Sequence, residues 1–339
     1  MATQKRQSIL FVYTNFASFV QTDFNILASV HNVDKYQFKS EKGALNFISN
    51  FLKQFIFLLI NIRKYDAIYI WFADYHSFLP VHFARVFGKR SYVVIGGYDV
   101  FRIKKINYGV FCSKIRGFFA ISSMKHCTAN LTVSKYVDRK VKYIASDAAR
   151  FLIYNCMNLN TKDESIVTKE NFILTVTVVD DERTFIRKGL DTFIDTARLL
   201  PEYKFAIVGL LKSSVAHLIN DCPDNVAIYE KLPHPEMVAF FQKAKVYCQL
   251  SRAEAFGVAI AEAMHFGCFP IVTNEGAMPE VVGNHGKVVK RDVGQIVFSI
   301  DQYINNPSEK EVLLMEDHLK RLFSPEIRKE KLMTLLDKS

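Results

Sequence analysis

Residues 245–272, KVYCQLSRAEAFGVAIAEAMHFGCFPIV, decide the fold. An apolar-rich run over 245–250 gives way to a polar loop at 251–255. Apolar residues return at helical spacing over about 256–266, and after Gly267 a second short run covers 269–272. This order predicts strand, helix, strand. Two strands joined by a helix of this length pair in parallel, because a parallel pair needs a crossover connection. Two carboxylates bracket the helix start, Glu254 in the loop and Glu262 two turns further on. At Phe256-Gly257-Val258 the first backbone N–H groups have no partner inside the helix. Such an end attracts phosphate, and Gly257 lets a ligand approach the backbone closely.

An acid ahead of a helix start, a Phe-Gly pair and a second acid eight residues after the first resemble a known signature. It is the E-x7-E pattern of retaining nucleotide-sugar glycosyltransferases, the group 1 or family-four enzymes. The resemblance implies an α/β chain of GT-B fold, with two Rossmann-like domains facing each other across a cleft. It implies that Glu254 contacts the donor sugar and Glu262 the ribose. The amides of Phe256, Gly257, Val258 and Ala259 then hold the distal phosphate. Two further stretches carry the same likeness. RKGLD at 187–191 follows a predicted strand over 172–179 and opens a helix with apolar residues at 190, 193, 194, 197, 199 and 200. The resemblance gives Lys188 the donor diphosphate, shared with an arginine. Glu182 stands where that arginine is usual, so Arg183 or Arg187 takes its place. Positive charge there is physically required, since it offsets charge that grows on the departing group. NEGAMPEVV at 274–282, with 285–289 after it, resembles the family's G-x-P-E-V-V segment and makes Glu275, Gly276 and Ala277 donor contacts.

The first half reads as strand 9–13 (ILFVY), a turn at 14–18 and a helix over 19–30. No G-x-G-x-x-G stands at that turn, which argues against a nicotinamide enzyme. Residues 44–62 place apolar side chains at the spacing of one helix face. The expectation is a helix packed on the sheet, with an interfacial membrane helix as the alternative. Lys53 and several Asn, Ser and Gln interrupt the segment, so no run of spanning length is expected. Strands at 67–72 and 91–95 are each followed by a polar loop, 73–76 and 96–99. Ligands in parallel sheets bind at such loops. The second resembles the H-G-S-D turn of the family, with Gly96 in the histidine position and Gly97 and Asp99 matching. His76, Gly97 and Asp99 are the acceptor-side candidates. Residues 131–137 read as a strand and a Ser-capped helix start. Ile153-Tyr154-Asn155 resembles the element that ends the first domain, Cys156 replacing the usual Gly. The expected division is 1–155, an acceptor domain, and 156–320, a donor domain, with a linker over 155–165. Helices at 295–305 and 308–336 follow, and the tail 321–339 returns to the first domain.

The chain has 339 residues, half of them apolar, enough for two cores. Six cysteines without metal-ligand spacing read as reduced thiols of a cytoplasmic protein. The N-terminus alternates like a strand and is expected to be the first strand, not a signal peptide. The first 150 residues carry 22 Lys and Arg against 8 Asp and Glu, a balance of +14, while the remainder is −4. An anionic partner for the first half follows. No nucleic-acid module accompanies the charge, so the expectation is a lipid-linked or other anionic acceptor and peripheral attachment to the inner membrane face. The donor expected is a UDP- or GDP-linked sugar. No cofactor and no metal are expected, since D-x-D is absent and Asp180-Asp181-Glu182 reads as loop surface. The competing readings are a sugar-nucleotide epimerase and a silent nucleotide-sugar-binding subunit.

Overall fold

The computed structural model describes residues 6–39, 43–157 and 168–337. Part of the expected linker, 158–165, lies outside the described residues. The chain divides into two compact units, Met1–Cys156 with Pro325–Ser339, and Met157–Ser324.

The first unit runs β1 (Ser8–Tyr13), α1 (Ser18–Ala28), β2 (Asn32–Gln37), α2 (Ala44–Asn61), β3 (Ala67–Trp71) and α3 (Tyr75–Val86). It continues through β4 (Arg90–Ile95), α4 (Lys114–His126), β5 (Ala129–Thr132), α5 (Lys135–Ile144) and β6 (Arg150–Leu152). The second begins with β7 (Glu170–Val179), α6 (Glu182–Lys188), α7 (Leu190–Arg198), β8 (Lys204–Leu210), α8 (Ala216–Ile219) and β9 (Val226–Tyr229). Then come α9 (His234–Lys243), β10 (Ala244–Gln249), α10 (Val258–His265), β11 (Phe269–Thr273), α11 (Met278–Val282) and β12 (Lys287–Val289). Helices α12 (Val293–Asn305) and α13 (Glu309–Phe323) close it, and α14 (Pro325–Asp337) belongs to the first unit.

Every strand pairing is parallel. The first sheet has the order β2-β1-β3-β4-β5-β6, the second β12-β11-β10-β7-β8-β9. Each order reverses once, between β1 and β3 in the first and between β7 and β10 in the second. At such a reversal the loops leave neighbouring strands in opposite directions and open a crevice at the carboxyl ends. The central strands are buried on both faces, as parallel strands covered by helices must be.

Several boundaries differ from expectation for local reasons. The helix expected over 308–336 breaks at Ser324-Pro325, because Pro325 has no N–H to continue the ladder and starts α14 instead. RKGLD closes one helix and opens the next. Arg187 and Lys188 form the last turn of α6, Gly189 leaves it in the left-handed region (φ +72°), and Leu190 starts α7. Cations there complement the helix dipole. The acidic loop read at 180–182 is a helix start, with Asp181 accepting from the Thr184 N–H at 2.7 Å. Helix α2 departs furthest. It buries only Gln54 and Leu58, so it is not the broadly packed helix expected. By length and composition, 44–64 is also long and apolar enough to cross a membrane, despite Lys53. Among the described residues the cysteines are free, three buried and three half-buried.

The tail helix α14 is joined to the first unit by a buried ion pair. Arg328 donates from Nε and Nη2 to the Asp23 carboxylate at 2.5 and 2.7 Å, and from Nη1 to the carbonyls of Ile153 and Tyr154 at 2.9 and 2.5 Å. Tyr69 Oη donates to the same carboxylate at 2.7 Å. Four of the five guanidinium N–H groups are thus engaged, and loss of one partner strands the other charge. Arg328→Ala should lower the stability of the full chain by about 3–5 kcal/mol. Replacing both partners with apolar residues of similar volume should cost much less, as read by urea unfolding.

Candidate active site

The reversal of the second sheet brings two loops together, the one after β7 and the one after β10. The second is tied down from its strand outward. Tyr247 Oη donates to the Gln249 side chain at 2.6 Å. Gln249 Nε2 donates to Ser251 Oγ at 2.7 Å, and Thr273 Oγ1 to the Ser251 carbonyl at 2.7 Å. Arg252 then crosses to the first loop. Its N–H donates to the Arg187 carbonyl at 2.7 Å, and its guanidinium grips the Asp191 carboxylate at 2.8 and 2.5 Å and also reaches the Ile186 carbonyl.

Two glycines make the approach close enough. At Gly189 a Cβ would stand 2.0 Å from the Leu250 carbonyl oxygen, and at Gly276 one would stand 2.1 Å from that of Glu254. The Ala277 N–H donates to the same Glu254 oxygen at 2.9 Å. Any side chain at either position would push the loops apart. The backbone of Glu254 is thus held from one side by Gly276-Ala277 while its side chain faces the other. There Lys188 Nζ donates to Glu254 Oε2 at 2.8 Å. Burial alone would raise the Glu254 pKa, but the charges of Lys188 and Arg187 reverse this and hold it below the usual range, ionised. Arg187 is therefore the arginine whose charge reaches Glu254. Arg183 lies one helical turn earlier, and its charge, with that of Arg187, acts on Asp181.

Helix α10 begins later than expected, at Val258, after Gly257 (φ +95°) as its capping residue. The amides of Val258 and Ala259 are the first two of the helix, where no intrahelical acceptor exists. Phe256 turns inward, buried and edge-on to Phe323 at 5.0 Å, so its ring is unavailable to a ligand. Glu275 is exposed and Ala277 buried. Glu262 lies in α10, its Oε1 3.9 Å from His234 Nε2. Burial pushes its pKa up to about 7, so the two acids of the spacing differ in protonation. Glu254 is a carboxylate, and Glu262 holds its proton to near neutrality.

The acceptor-side candidates are placed differently from expectation. Asp99 is fully buried and accepts the N–H groups of Ala73, Gly96 and Gly97 at 3.1, 3.3 and 2.7 Å. Burial raises its pKa to about 7 despite these bonds. His76 is buried in α3, with Nε2 2.8 Å from the Trp71 carbonyl. Burial lowers its pKa, so it is neutral. Neither side chain is presented at the surface of the first unit. Both shape the loops after β3 and β4, Asp99 with the help of Gly97 (φ +117°). A half-exposed group of α4 that packs against these loops is one that sequence reasoning passed over. Arg116 pairs with Asp74, donates to Tyr98 Oη at 2.9 Å and lies over the rings of Tyr75 and Tyr98 at 5.3 and 5.1 Å. In the second unit the Arg252–Asp191 pair was missed too. Its signal was the opposite charges carried by the SRAE and RKGLD stretches.

Residues 158–316 match the family model "Glycosyl transferases group 1". A phosphatidylinositol N-acetylglucosaminyltransferase subunit of Arabidopsis thaliana is 26% identical over 53% of this chain, which spans only 42% of that relative. Among solved structures, sucrose-phosphate synthase of Thermosynechococcus elongatus superposes with a TM-score of 0.80 at 13% identity, covering 98% of this chain and 99% of that one. HepE of Anabaena, in complex with UDP and glucose, gives 0.74 at 14% identity, covering 98% and 100%. Residues 158–316 of the second unit carry the family match, and the fold of the chain is GT-B.

Glu262 makes stability pH-dependent in a defined sense. Its folded pKa is raised from 4.5 to about 7, so its contribution is full below about 4.5 and is lost as pH rises to about 7. Glu262→Gln should therefore be more stable than the parent at pH 8, by on the order of 1–2 kcal/mol, with the gap closing below pH ~5. Thermal unfolding at the two pH values measures it. A gap that does not change with pH would show that burial does not hold this proton.

Proposed function

We propose that the chain is a retaining glycosyltransferase that moves a sugar from a UDP- or GDP-linked donor to a saccharide or lipid-linked acceptor, in the synthesis of a cell-surface polysaccharide or glycolipid on the cytoplasmic side of a membrane. The observation that carries the reading is the 2.8 Å contact of Lys188 with Glu254 at the sheet reversal, beside the start of α10. The UDP and glucose bound by HepE, a protein of the same fold, support a nucleotide sugar as donor.

In this reading the diphosphate takes its compensating charge from Lys188 and Arg187, with Arg183 nearby, and from the amides of 256–259. These donors act most strongly on charge that develops as the bond to the sugar breaks. Ionised Glu254 accepts from the sugar hydroxyls and fixes the ring. The protonated Glu262 side chain faces the ribose, and the turn 275–277 closes the donor pocket. The anomeric carbon loses its bond to the phosphate oxygen and gains one to the acceptor oxygen on the same face. The acceptor proton passes to the departing phosphate, so no separate protein base is needed. An epimerase would turn over its nucleotide sugar with no acceptor, which product analysis distinguishes.

Glu254→Gln should keep nucleotide binding while transfer falls at least ~10-fold, because the lost contact belongs to the reacting sugar. Nucleotide binding is read by thermal shift with UDP and GDP, which stabilise the chain by mass action. Equal losses of affinity and rate would contradict the role of Glu254. Glu262→Ala should instead weaken binding of the free nucleoside diphosphate. Transfer should persist in EDTA. Activity abolished by chelation and restored by magnesium or manganese would contradict charge compensation by Lys188, Arg187 and the amides.

A further inference from the structure

Phe72 holds a backbone conformation that its side chain does not favour. At the end of β3 it turns to φ +71°, in the left-handed region, and among the other described non-glycine residues only Asn107 joins it there. A bulky residue in that region is a genuine outlier, where Gly would sit without strain. The turn is fixed from both sides. The Phe72 N–H donates to the Val94 carbonyl at 2.9 Å, and the next N–H, of Ala73, to Asp99 Oδ2 at 3.1 Å. Strain that the fold enforces and the residue type does not relieve points to a side chain kept for its position. That position depends on a missing atom. A Cβ on Gly96 would stand 2.4 Å from Phe72 Cε1. The glycine at the histidine position of the H-G-S-D turn is thus what lets the Phe72 ring lie against the loop after β4.

The ring stands at the reversal of the first sheet, where the loops after β1 and β3 part. Trp71 and Ala73 on either side of it are buried, while Phe72 is half-buried and keeps part of its surface open. Phe19 of α1, also half-buried, meets it edge-on at 6.2 Å and rests on Trp71 at 5.0 Å between ring centres. The loop leading into α1 adds exposed Asn15 and Ser18, both neutral hydrogen-bonding groups. Charge beside the rings is already taken up. Asp99 is buried under three amides, Asp74 is paired with Arg116, and Lys35 lies over the rings of Phe16 and Phe24 at 4.1 and 3.9 Å. A half-open aromatic pair beside uncharged polar groups suits a pyranose, which offers C–H bonds on its faces and hydroxyls around its edge. We propose that Phe72, seated against Gly96 and braced by Phe19, is the platform on which an uncharged pyranose ring of the acceptor stacks. The inference rests on the glycosyltransferase reading and deepens it, since it names the chemistry of the acceptor part that meets the first unit.

Saturation-transfer NMR on the full-length chain, with irradiation of aromatic protons, tests this against the methyl pyranosides of glucose, galactose, mannose and N-acetylglucosamine. At least one should receive saturation on the ring protons of one face. Trp71, the only tryptophan of the chain and 5.5 Å from Phe72, should change its emission as the same glycoside is titrated. Phe72→Ala should weaken that glycoside at least ~5-fold, the loss of one stacked aromatic contact. Gly96→Ala should do the same by pushing the ring off its seat, and Phe72→Tyr should bind like the parent. Thermal shifts with UDP and GDP should be unchanged in all three variants. With the bound glycoside as acceptor, Phe72→Ala should raise the acceptor KM and leave the donor KM alone. The proposal is overturned if none of the four glycosides binds, or if glycerol 3-phosphate binds and they do not. It is also overturned if Phe72→Ala lowers the unfolding temperature while glycoside affinity stays intact, which would make the ring a packing element. A parent chain that shows no shift with UDP or GDP fails the glycosyltransferase reading alone, because glycoside binding is measured without nucleotide.

Discussion

A carboxylate largely withdrawn from water stays ionised only where a cation meets it at contact distance. Glu254 has that cation in Lys188, and the surrounding chain is arranged to keep the two together. Lys188 ends a helix too short to be fixed by its own packing. It is held because Gly189 lets the next helix press on Leu250 and because Arg252 bonds across to Asp191 and to the carbonyls of Ile186 and Arg187. On the far side Gly276 and Ala277 grip the Glu254 carbonyl. Three separate stretches of chain therefore converge on one ion pair. A buried pair of this kind adds little net stability. Its effect is orientation, since it fixes two opposite charges at one sheet reversal.

The first unit uses a related device for a different end. Asp99 also sits in a loop after a parallel strand, but backbone amides surround it in place of a cation. Amide dipoles do not match a full opposite charge, and burial leaves its pKa near 7 where that of Glu254 is depressed. Asp99 joins the loops after β3 and β4 and shapes the surface on which Arg116, Tyr75 and Tyr98 stand. The two units share a parallel architecture and differ in surface charge: the first is basic, while the second carries the ion pair.

Much of this was legible in the sequence. The period of apolar runs and the position of Gly267 gave the β10–α10–β11 unit to within one or two residues, since a buried parallel strand leaves little freedom of register. The spacing of Glu254 and Glu262 and the lysine of RKGLD named side chains that the fold does bring to one sheet reversal. What the sequence hid depends on contacts distant along the chain. The helical turn at 182–188 rests on the Asp181 cap and on Gly189 meeting Leu250. Burial of Asp99 and His76 is a property of the loops packed around them, while the residue types alone read as polar surface. Helix α2 has the period of a core helix, and periodicity cannot say whether the apolar face has a protein neighbour.

The central claim is that the Lys188–Glu254 site holds a nucleoside-diphosphate sugar, and a crystal structure of the chain with UDP or GDP bound tests it most directly. The account predicts a phosphate oxygen within about 3 Å of Lys188 Nζ and of the Val258 or Ala259 amide, the usual reach of a charge-assisted hydrogen bond. It also predicts the ribose on the Glu262 side of α10. A nucleotide bound elsewhere, with the Lys188–Glu254 pair untouched by phosphate, would contradict it.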